Sequence, residues 1–337
     1  MYPLSGKQID IFFGKLKTCL NGEAEDAGYS LNLFRKIIND YTRQPLDELA
    51  KRVETVYDWN DLILHKTVIE HLKAFRNTIA NRFTVYEKWG LGEKLPRGRG
   101  VTALFTGMPG TGKTMAAEAI ARDLGINLYH VDLAGMVSKY VGETEKNIRK
   151  IFESARDANV LLFFDEADTL FGRRTEIKDS HDRYANLEVN YLLQRLEEHE
   201  GSVILATNMK KNMDEAFSRR IHFIIEFPLP SESQRRIILQ KHLPAGVPGS
   251  ANVDINFFAK HFELSGGDIK NAAVQAVFMA AEDSGQITME HLLASFRREY
   301  LKLGKIFPDL KLNISHGTPH ESSIKRRERK EAVRHGY

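Results

Sequence analysis

The sequence has few of the features that mark secreted, membrane-spanning or zinc-dependent chains. Its single cysteine, Cys19, excludes an internal disulfide framework and is typical of a reducing compartment. The densest apolar run, residues 160–164, is far too short to cross a bilayer. The N-terminal residues lack the charged and apolar regions of a signal peptide, and no H-E-x-x-H zinc-protease motif occurs. We therefore expect a cytoplasmic protein with no membrane span.

A large excess of one charge is also absent. The net charge is +3 over 337 residues, and residues 313–337 alone contain six Lys or Arg and three Glu, so the rest of the chain is close to neutral. A neutral body argues against a broad nucleic-acid-binding face. We interpret the basic tail as a solvated, disordered end, and contact with an acidic partner, nucleic acid included, is the alternative.

Residues 100–114, GVTALFTGMPGTGKT, contain the strongest functional signal. Residues 107–114 match G-x-x-x-x-G-K-[ST] between a strand-like apolar run and a helical pattern. The glycines let backbone N–H groups approach a phosphate, and the helix N-terminus favours negative charge. Lys113 can reach the β- and γ-phosphates, and the Thr114 hydroxyl can bind Mg²⁺. We expect the nucleotide to contact Pro109, Gly110, Thr111, Gly112, Lys113, Thr114 and Met115.

Two further predicted strands end in polar residues. Asp165 and Glu166 follow residues 160–164, and Asn208 follows the apolar strand over residues 203–206. Ligands bind at the carboxyl edge of open α/β sheets, so these side chains are expected near the phosphates. Asp165 can hold Mg²⁺ through water, Glu166 can polarise the attacking water, and Asn208 can hold that water or the γ-phosphate.

The pair Arg219 and Arg220 follows this region. Guanidinium groups spread positive charge over the three equatorial oxygens in a phosphoryl-transfer transition state. Because the pair lies well after the phosphate loop, it could act across a subunit boundary. A surface arginine pair on a charged helix end is the alternative.

Strand-like and helix-like segments alternate between the phosphate loop and Pro228. Near-continuous apolar strands between helices predict an α/β fold with a parallel sheet covered on both faces. We divide the chain into a helical N-terminal segment (1–54), a large α/β region (55–228), a helical lid (229–312) and the basic tail (313–337). In the N-terminal segment, a third helix is predicted from Pro45 to Val53. The predicted strands are 101–105, 127–131, 160–164, 203–206 and 223–227.

The motifs GMPGTGKT, FFDEAD, ILATN and DEAFSRR, in this order and spacing, resemble the AAA clade of the AAA+ ATPases over about residues 56–302. SKYVGETEKNIRKIF is similar to the same region of spastin, katanin and related remodelling members. The residues from 218 to 230, with GRRTEIKDSHDRYAN, look closest to bacterial single-module AAA ATPases, including those found with contractile injection systems. The resemblance implies a P-loop AAA+ module followed by a small helical lid.

The resemblance also implies residue roles. Catalysis falls to Lys113, Glu166, Asn208 as sensor 1, and the arginine fingers Arg219 and Arg220, which reach the neighbouring subunit's γ-phosphate. Mg²⁺ is held by Thr114 and by Asp165, partly through water.

Further implied roles concern the base and the substrate. Asp61 begins the adenine-binding strand, although His65 stands where the family has a glycine. Gly267 belongs to a small-residue turn near adenine in the lid, where Lys270 is close and no sensor 2 arginine is evident. Tyr140 and Lys139 match the first pore loop, which grips a polypeptide substrate.

We interpret the chain as a Mg²⁺-dependent ATPase that forms a ring, expected to be a homohexamer, and remodels, unfolds or disassembles a protein substrate. The guanine-reading N-K-x-D motif is absent, which favours ATP over GTP. Two alternatives stay open: a nucleotide-dependent assembly factor or switch with little turnover, and a nucleic-acid-loading ATPase that uses the basic tail.

Overall fold

The structure, a computed structural model, describes residues 44–47, 49–95, 98–133, 143–167, 191–208, 220–283 and 285–308. The helices predicted before residue 44 and the basic tail lie outside the described residues. Within the described part of the chain, no helix has the length and apolar character needed to cross a membrane.

A six-stranded sheet forms the centre of the α/β region, with the strand order β1-β3-β4-β5-β2-β6. Strands β2 to β6 run parallel to their neighbours, and β1 pairs antiparallel with β3. The ends of the five parallel strands lie within one residue of the predicted ends. The strands are β1 Lys51–Val53, β2 Val101–Thr106, β3 Asn127–Asp132, β4 Val160–Asp165, β5 Ser202–Thr207 and β6 Phe223–Glu226.

The helix predicted from Pro45 to Val53 is wrong in its second half. Helix α1 covers only Gln44–Asp47, and residues 51–53 form β1 instead. Lys51 pairs with His130 and Val53 with Leu128, so β1 satisfies the backbone groups along the edge of β3. Hydrogen bonding to an open sheet edge therefore outweighs the helical tendency of this short segment.

Two hydrophobic clusters cover the two faces of the sheet. Along β4, Leu162 and Phe164 belong to one cluster, and Leu161 and Phe163 belong to the other. This alternation explains why the strand is apolar along its whole length. The helices of this region are α2 Lys66–Phe83, α3 Leu91–Lys94, α4 Lys113–Leu124, α5 Glu143–Asp157 and α6 over residues 191–198, with a 3₁₀ turn at Trp59–Asp61 and a π-helical turn at Thr84–Lys88.

The chain after β6 is helical, as predicted for the lid. The rings of Phe258, Phe262 and Phe296 pack together with centroid distances of 4.9 to 5.7 Å. Buried Arg235 donates hydrogen bonds to the carbonyl oxygens of Ala259 and Pro230, both at 2.8 Å. These helices are α7 Glu232–His242, α8 Ile255–His261, α9 Gly266–Glu282 and α10 Met289–Lys302, with a 3₁₀ turn at Ser250–Asn252.

A boundary between two compact units lies between Glu299 and Tyr300. In the second unit, the Lys305 backbone N–H donates to the Tyr300 carbonyl at 2.9 Å, and the Tyr300 and Phe307 rings meet edge to face at 5.7 Å. The α/β fold with a helical C-terminal part is confirmed. The segment boundaries at residues 54, 228 and 312 stay predictions.

Candidate nucleotide-binding and catalytic site

The predicted phosphate loop joins β2 to α4 and depends on glycine at two crowded positions. Gly107 and Gly110 have φ angles of 152° and 75°, in the region that side chains rarely adopt. A Cβ atom at Gly107 would lie 2.3 Å from the Phe227 carbonyl oxygen, and one at Gly110 would lie 2.5 Å from Ser265 Oγ. Only glycine lets the backbone form this cradle, which fits the close approach that a phosphate requires.

Lys113, the first residue of α4, is a buried cation at this loop. Its Nζ atom donates to the Gly107 carbonyl at 2.6 Å, to the Met108 carbonyl at 3.2 Å and to Asn208 Oδ1 at 2.9 Å. Lys113 is 8% exposed, so its charge depends on these acceptors. The structure thus brings Lys113 and Asn208 together, and phosphate oxygens could take over the carbonyl positions.

Glu166 follows the end of β4 in a strained conformation. Its φ of 51° is the only positive value at a non-glycine residue in the described part of the chain. Such a conformation costs on the order of 1–3 kcal/mol. The Glu166 backbone N–H donates to Asp165 Oδ1 at 2.9 Å, and the Ala167 backbone N–H donates to the Ala206 carbonyl at 2.9 Å. These contacts hold the exposed Glu166 at the carboxyl edge of the sheet.

His130 is a site residue that the sequence analysis missed. Its Nε2 atom lies 3.4 Å from Asp165 Oδ2, because β3 and β4 are neighbours with Asp132 beside Asp165. The hydrogen bond to His130 is the main cause that lowers the pKa of Asp165, followed by the Glu166 N–H. A polar residue close to the carboxyl end of a predicted strand was the available signal.

The donors near this edge fit magnesium. Thr114 is the second residue of α4, and Asp165 ends β4. Among the described residues there is no group of three or more His, Cys, Asp or Glu side chains that could hold a metal ion. Mg²⁺ in nucleotide sites uses one or two protein oxygens together with waters and phosphates, so a hydroxyl and one carboxylate are sufficient.

Asp61 does not begin a strand, contrary to the sequence expectation. It ends the 3₁₀ turn Trp59–Asp61, where it forms a capping box with Asp58. Lys241, in α7, places its Nζ atom 2.5 Å from Asp61 Oδ1. The hydrogen bond from Lys241 is the first cause that lowers the pKa of Asp61, and the Asp58 N–H adds to it. The carboxylate therefore bridges the α/β region and the C-terminal helices.

Gly267 contacts the phosphate loop directly. Its backbone N–H donates to the Gly110 carbonyl at 2.9 Å. A Cβ atom at Gly267 would lie 3.0 Å from Gly110 Cα, so a larger residue would push the two segments apart. Ser265 caps α9 in a capping box with Asp268, which fixes the helix start against the loop. Lys270 lies one turn further along this helix.

Arg220 lies at the opposite edge of the sheet from the phosphate loop. Its carbonyl oxygen accepts a hydrogen bond from Thr102 Oγ1 at 3.1 Å, and Thr102 is near the amino end of β2. Five residues of strand separate Thr102 from Gly107, a span of about 16 Å. The Arg220 Nε atom donates to Glu197 of α6. The predicted site residues Arg219, Tyr140 and Lys139 lie outside the described residues.

Comparison with known proteins agrees with this site. The model of the "ATPase family associated with various cellular activities (AAA)" matches residues 103–229. The chain is an AAA-domain protein. The match runs from β2 and the phosphate loop to the residues after β6, so it includes all the described residues of the catalytic edge. The predicted recognition of the AAA clade is confirmed.

Named relatives share this domain at about one-third identity. The A-like 1 form of the katanin p60 ATPase-containing subunit, from Danio rerio, is 34% identical over 223 residues, which is 63% of this chain and 45% of the relative. The 26S proteasome subunit RPT4 of Saccharomyces cerevisiae is 33% identical over 217 residues, 62% of this chain and 48% of the relative. Proteasome-activating nucleotidase of Saccharolobus solfataricus is 32% identical over 225 residues, 64% and 56%. The chain spans about half the length of the curated relatives it matches.

Proposed function

We propose that this AAA-domain protein hydrolyses ATP with Mg²⁺, as a ring-shaped oligomer, and uses the turnover to remodel a protein substrate. The observation that carries the ATPase proposal is the contact of buried Lys113 with both the Gly107 carbonyl and Asn208. A buried ammonium at a glycine loop is suited to polyphosphate, because the phosphates bring the negative charge that the loop carbonyls only partly supply.

The side chains of the carboxyl edge divide the chemistry. Bound Mg²⁺, held by Thr114 and through water by Asp165, would supply charge compensation for the phosphate oxygens. Lys113 binds the β- and γ-phosphates and neutralises charge that develops on them. Glu166 accepts a hydrogen bond from the attacking water and takes its proton. Asn208, which already contacts Lys113, orients the γ-phosphate or the water.

The arginine pair is proposed to act on the neighbouring subunit. Arg220 is separated from its own phosphate loop by about the length of β2, which supports action in trans. A site completed by the next subunit requires a head-to-tail interface, and such an interface closes into a ring when the rotation allows it. A homohexamer is our proposal for the ring.

Remodelling of a protein substrate is proposed from the relatives. Their names include a proteasome-activating nucleotidase and an ATPase-containing katanin subunit, which supports work on protein assemblies. Tyr140 and Lys139 would contact an extended polypeptide in the ring, with Tyr140 supplying an apolar grip. The single cysteine supports a cytoplasmic site of action.

The test compares two site variants in the full-length protein. Glu166→Gln should bind ATP like the wild type and hydrolyse it at least ~100-fold more slowly, because the general base is lost while the phosphate loop is intact. Lys113→Ala should lose nucleotide binding itself. Fluorescent-nucleotide titration and phosphate release measure the two effects separately, and Glu70→Gln on the exposed face of α2 is the control.

The outcomes also separate the alternatives. Wild-type turnover in Glu166→Gln would contradict the assigned base. A wild-type protein that binds ATP and partners without turnover would be the assembly factor or switch, and turnover stimulated by DNA with steep salt dependence would be the nucleic-acid-loading ATPase. Stimulation by an unfolded protein supports remodelling.

A further inference from the structure

Arg220 is fixed at its backbone before its side chain makes any contact. Thr102 Oγ1 donates to the Arg220 carbonyl at 3.1 Å, and the His222 backbone N–H donates to the Thr102 carbonyl at 3.1 Å. His222 Nδ1 also lies 2.7 Å from Thr102 Oγ1. Thr102 is 3% exposed and belongs to the central strand β2, so these contacts tie the residues before β6 to the rigid centre of the sheet.

Glu197 then holds the side chain of Arg220 at one atom. Its Oε1 atom accepts a hydrogen bond from Arg220 Nε. An arginine has five N–H donors in a planar fork, and Nε carries only one of them. Among the contacts between described residues, neither terminal nitrogen of Arg220 has a hydrogen-bond partner. The end of the guanidinium with four N–H groups is thus available for a doubly charged acceptor that offers two oxygens.

We propose that Glu197 is a positioning residue, which aims the terminal nitrogens of Arg220 at the γ-phosphate bound by the neighbouring subunit. This inference rests on the proposed ATPase function. The carboxylate fixes the rotation of the guanidinium by binding Nε, and it leaves the bidentate face for phosphate. An arginine that is already oriented loses less side-chain freedom when the phosphate arrives, so more of its interaction acts on the transition state.

The exposure of the pair argues against a role in stability alone. The Arg220 and Glu197 side chains are 32% and 48% exposed, and ion pairs in such positions add little to the free energy of folding. The neighbouring Glu198 offers a matched control. It accepts hydrogen bonds from Arg195 at 3.0 Å and from Gln194 at 2.9 Å, within α6, and it does not contact Arg220.

The test uses three single variants of the full chain: Glu197→Ala, Glu197→Gln and Glu198→Ala. Glu197→Ala should lower kcat about tenfold, because a misplaced catalytic group can lose up to ~100-fold. Its affinity for ADP, its melting temperature and its oligomer size should match those of the wild type. Glu197→Gln keeps an acceptor oxygen and should restore kcat to within about threefold of the wild type. Glu198→Ala should turn over like the wild type.

A double variant decides whether Glu197 acts through Arg220. If it does, adding Glu197→Ala to Arg220→Ala should lower kcat no further. A further loss in the double variant, a kcat equal to that of Glu198→Ala, or a lowered melting temperature in Glu197→Ala would each overturn the inference. A wild-type protein without turnover would contradict the proposed ATPase function instead, so the two failures are distinguishable.

Discussion

His199, next to the last residues of α6, is a buried titratable side chain in the hydrophobic core. It is 6% exposed, and its ring meets Phe152 edge to face at a centroid distance of 5.1 Å. Burial lowers the pKa of His199 to about 4, and the charges of Arg82 and Arg156 add to this effect. Protonation of His199 is therefore unfavourable in the folded state.

The shift predicts a loss of stability on acidification. In the unfolded chain a histidine has a pKa of about 6.5, so between pH 6.5 and pH 4 the unfolded state binds more protons. The free energy of unfolding should be full above pH 6.5 and fall by about 2 kcal/mol at pH 5 through this residue alone. Urea unfolding of the wild type and of His199→Phe at both pH values measures the contribution.

The His199→Phe variant should show a smaller loss between pH 7 and pH 5, since its ring does not titrate. His71→Gln, on the exposed side of α2, should behave like the wild type. Equal pH dependence in the wild type and in His199→Phe would mean that the buried imidazole is protonated without penalty.

Single residues also show which contacts a sequence can predict. The phosphate loop, Asp165 with Glu166, and Asn208 are local motifs that follow apolar strands, so spacing along the chain was sufficient to predict them. His130 contacts Asp165 only because β3 lies beside β4, and the sheet order is not written in any one segment. Glu197 was missed for the same reason, since it lies 23 residues from Arg220 in the chain.

At the scale of elements, the parallel strands were predictable and β1 was not. A strand buried on both faces is apolar along its length, and this pattern is distinct from a helical one. Residues 51–53, Lys-Arg-Val, have no such pattern, because β1 is a three-residue edge strand with two exposed positions. Its conformation is determined by the partner edge of β3 rather than by its own side chains.

The ion pair between Asp61 and Lys241 connects the 3₁₀ turn at Trp59–Asp61 to α7. The side chains are 28% and 43% exposed, so the pair contributes at most about 1 kcal/mol. We expect Asp61→Asn to speed the dissociation of ADP about two- to fivefold, because the contact between the C-terminal helices and the turn is weakened. Stopped-flow release of a fluorescent ADP measures this rate.

The reversed pair tests whether the charges act on each other or on the nucleotide. The double variant Asp61→Lys with Lys241→Asp should return the rate toward the wild type, and high salt should reduce the difference between single variants. A double variant that is faster than both single variants would indicate that Asp61 contacts the nucleotide itself. Glu70→Gln is again the control.

At the scale of the whole molecule, the arginines predict that activity depends on assembly. Turnover per subunit should rise with protein concentration, because a site without a neighbour lacks its arginines. Mixing Arg220→Ala with Glu166→Gln should restore part of the activity lost in each, at interfaces that combine an intact Glu166 with an intact Arg220. Sedimentation with phosphate release measures both quantities, and no recovery in proven mixed assemblies would place the arginines within their own subunit.

The position of Arg220 at the amino edge, with the phosphate loop at the carboxyl edge, gives an assembly a direction. In an open filament of these subunits, one end carries a nucleotide site that no arginine completes, and the other end carries an arginine with no nucleotide to serve. A dimer then has one working site rather than two, and closure of the ring adds the last one. A single defective arginine silences its neighbour and spares its own subunit, so damage in such a ring is passed in one direction only.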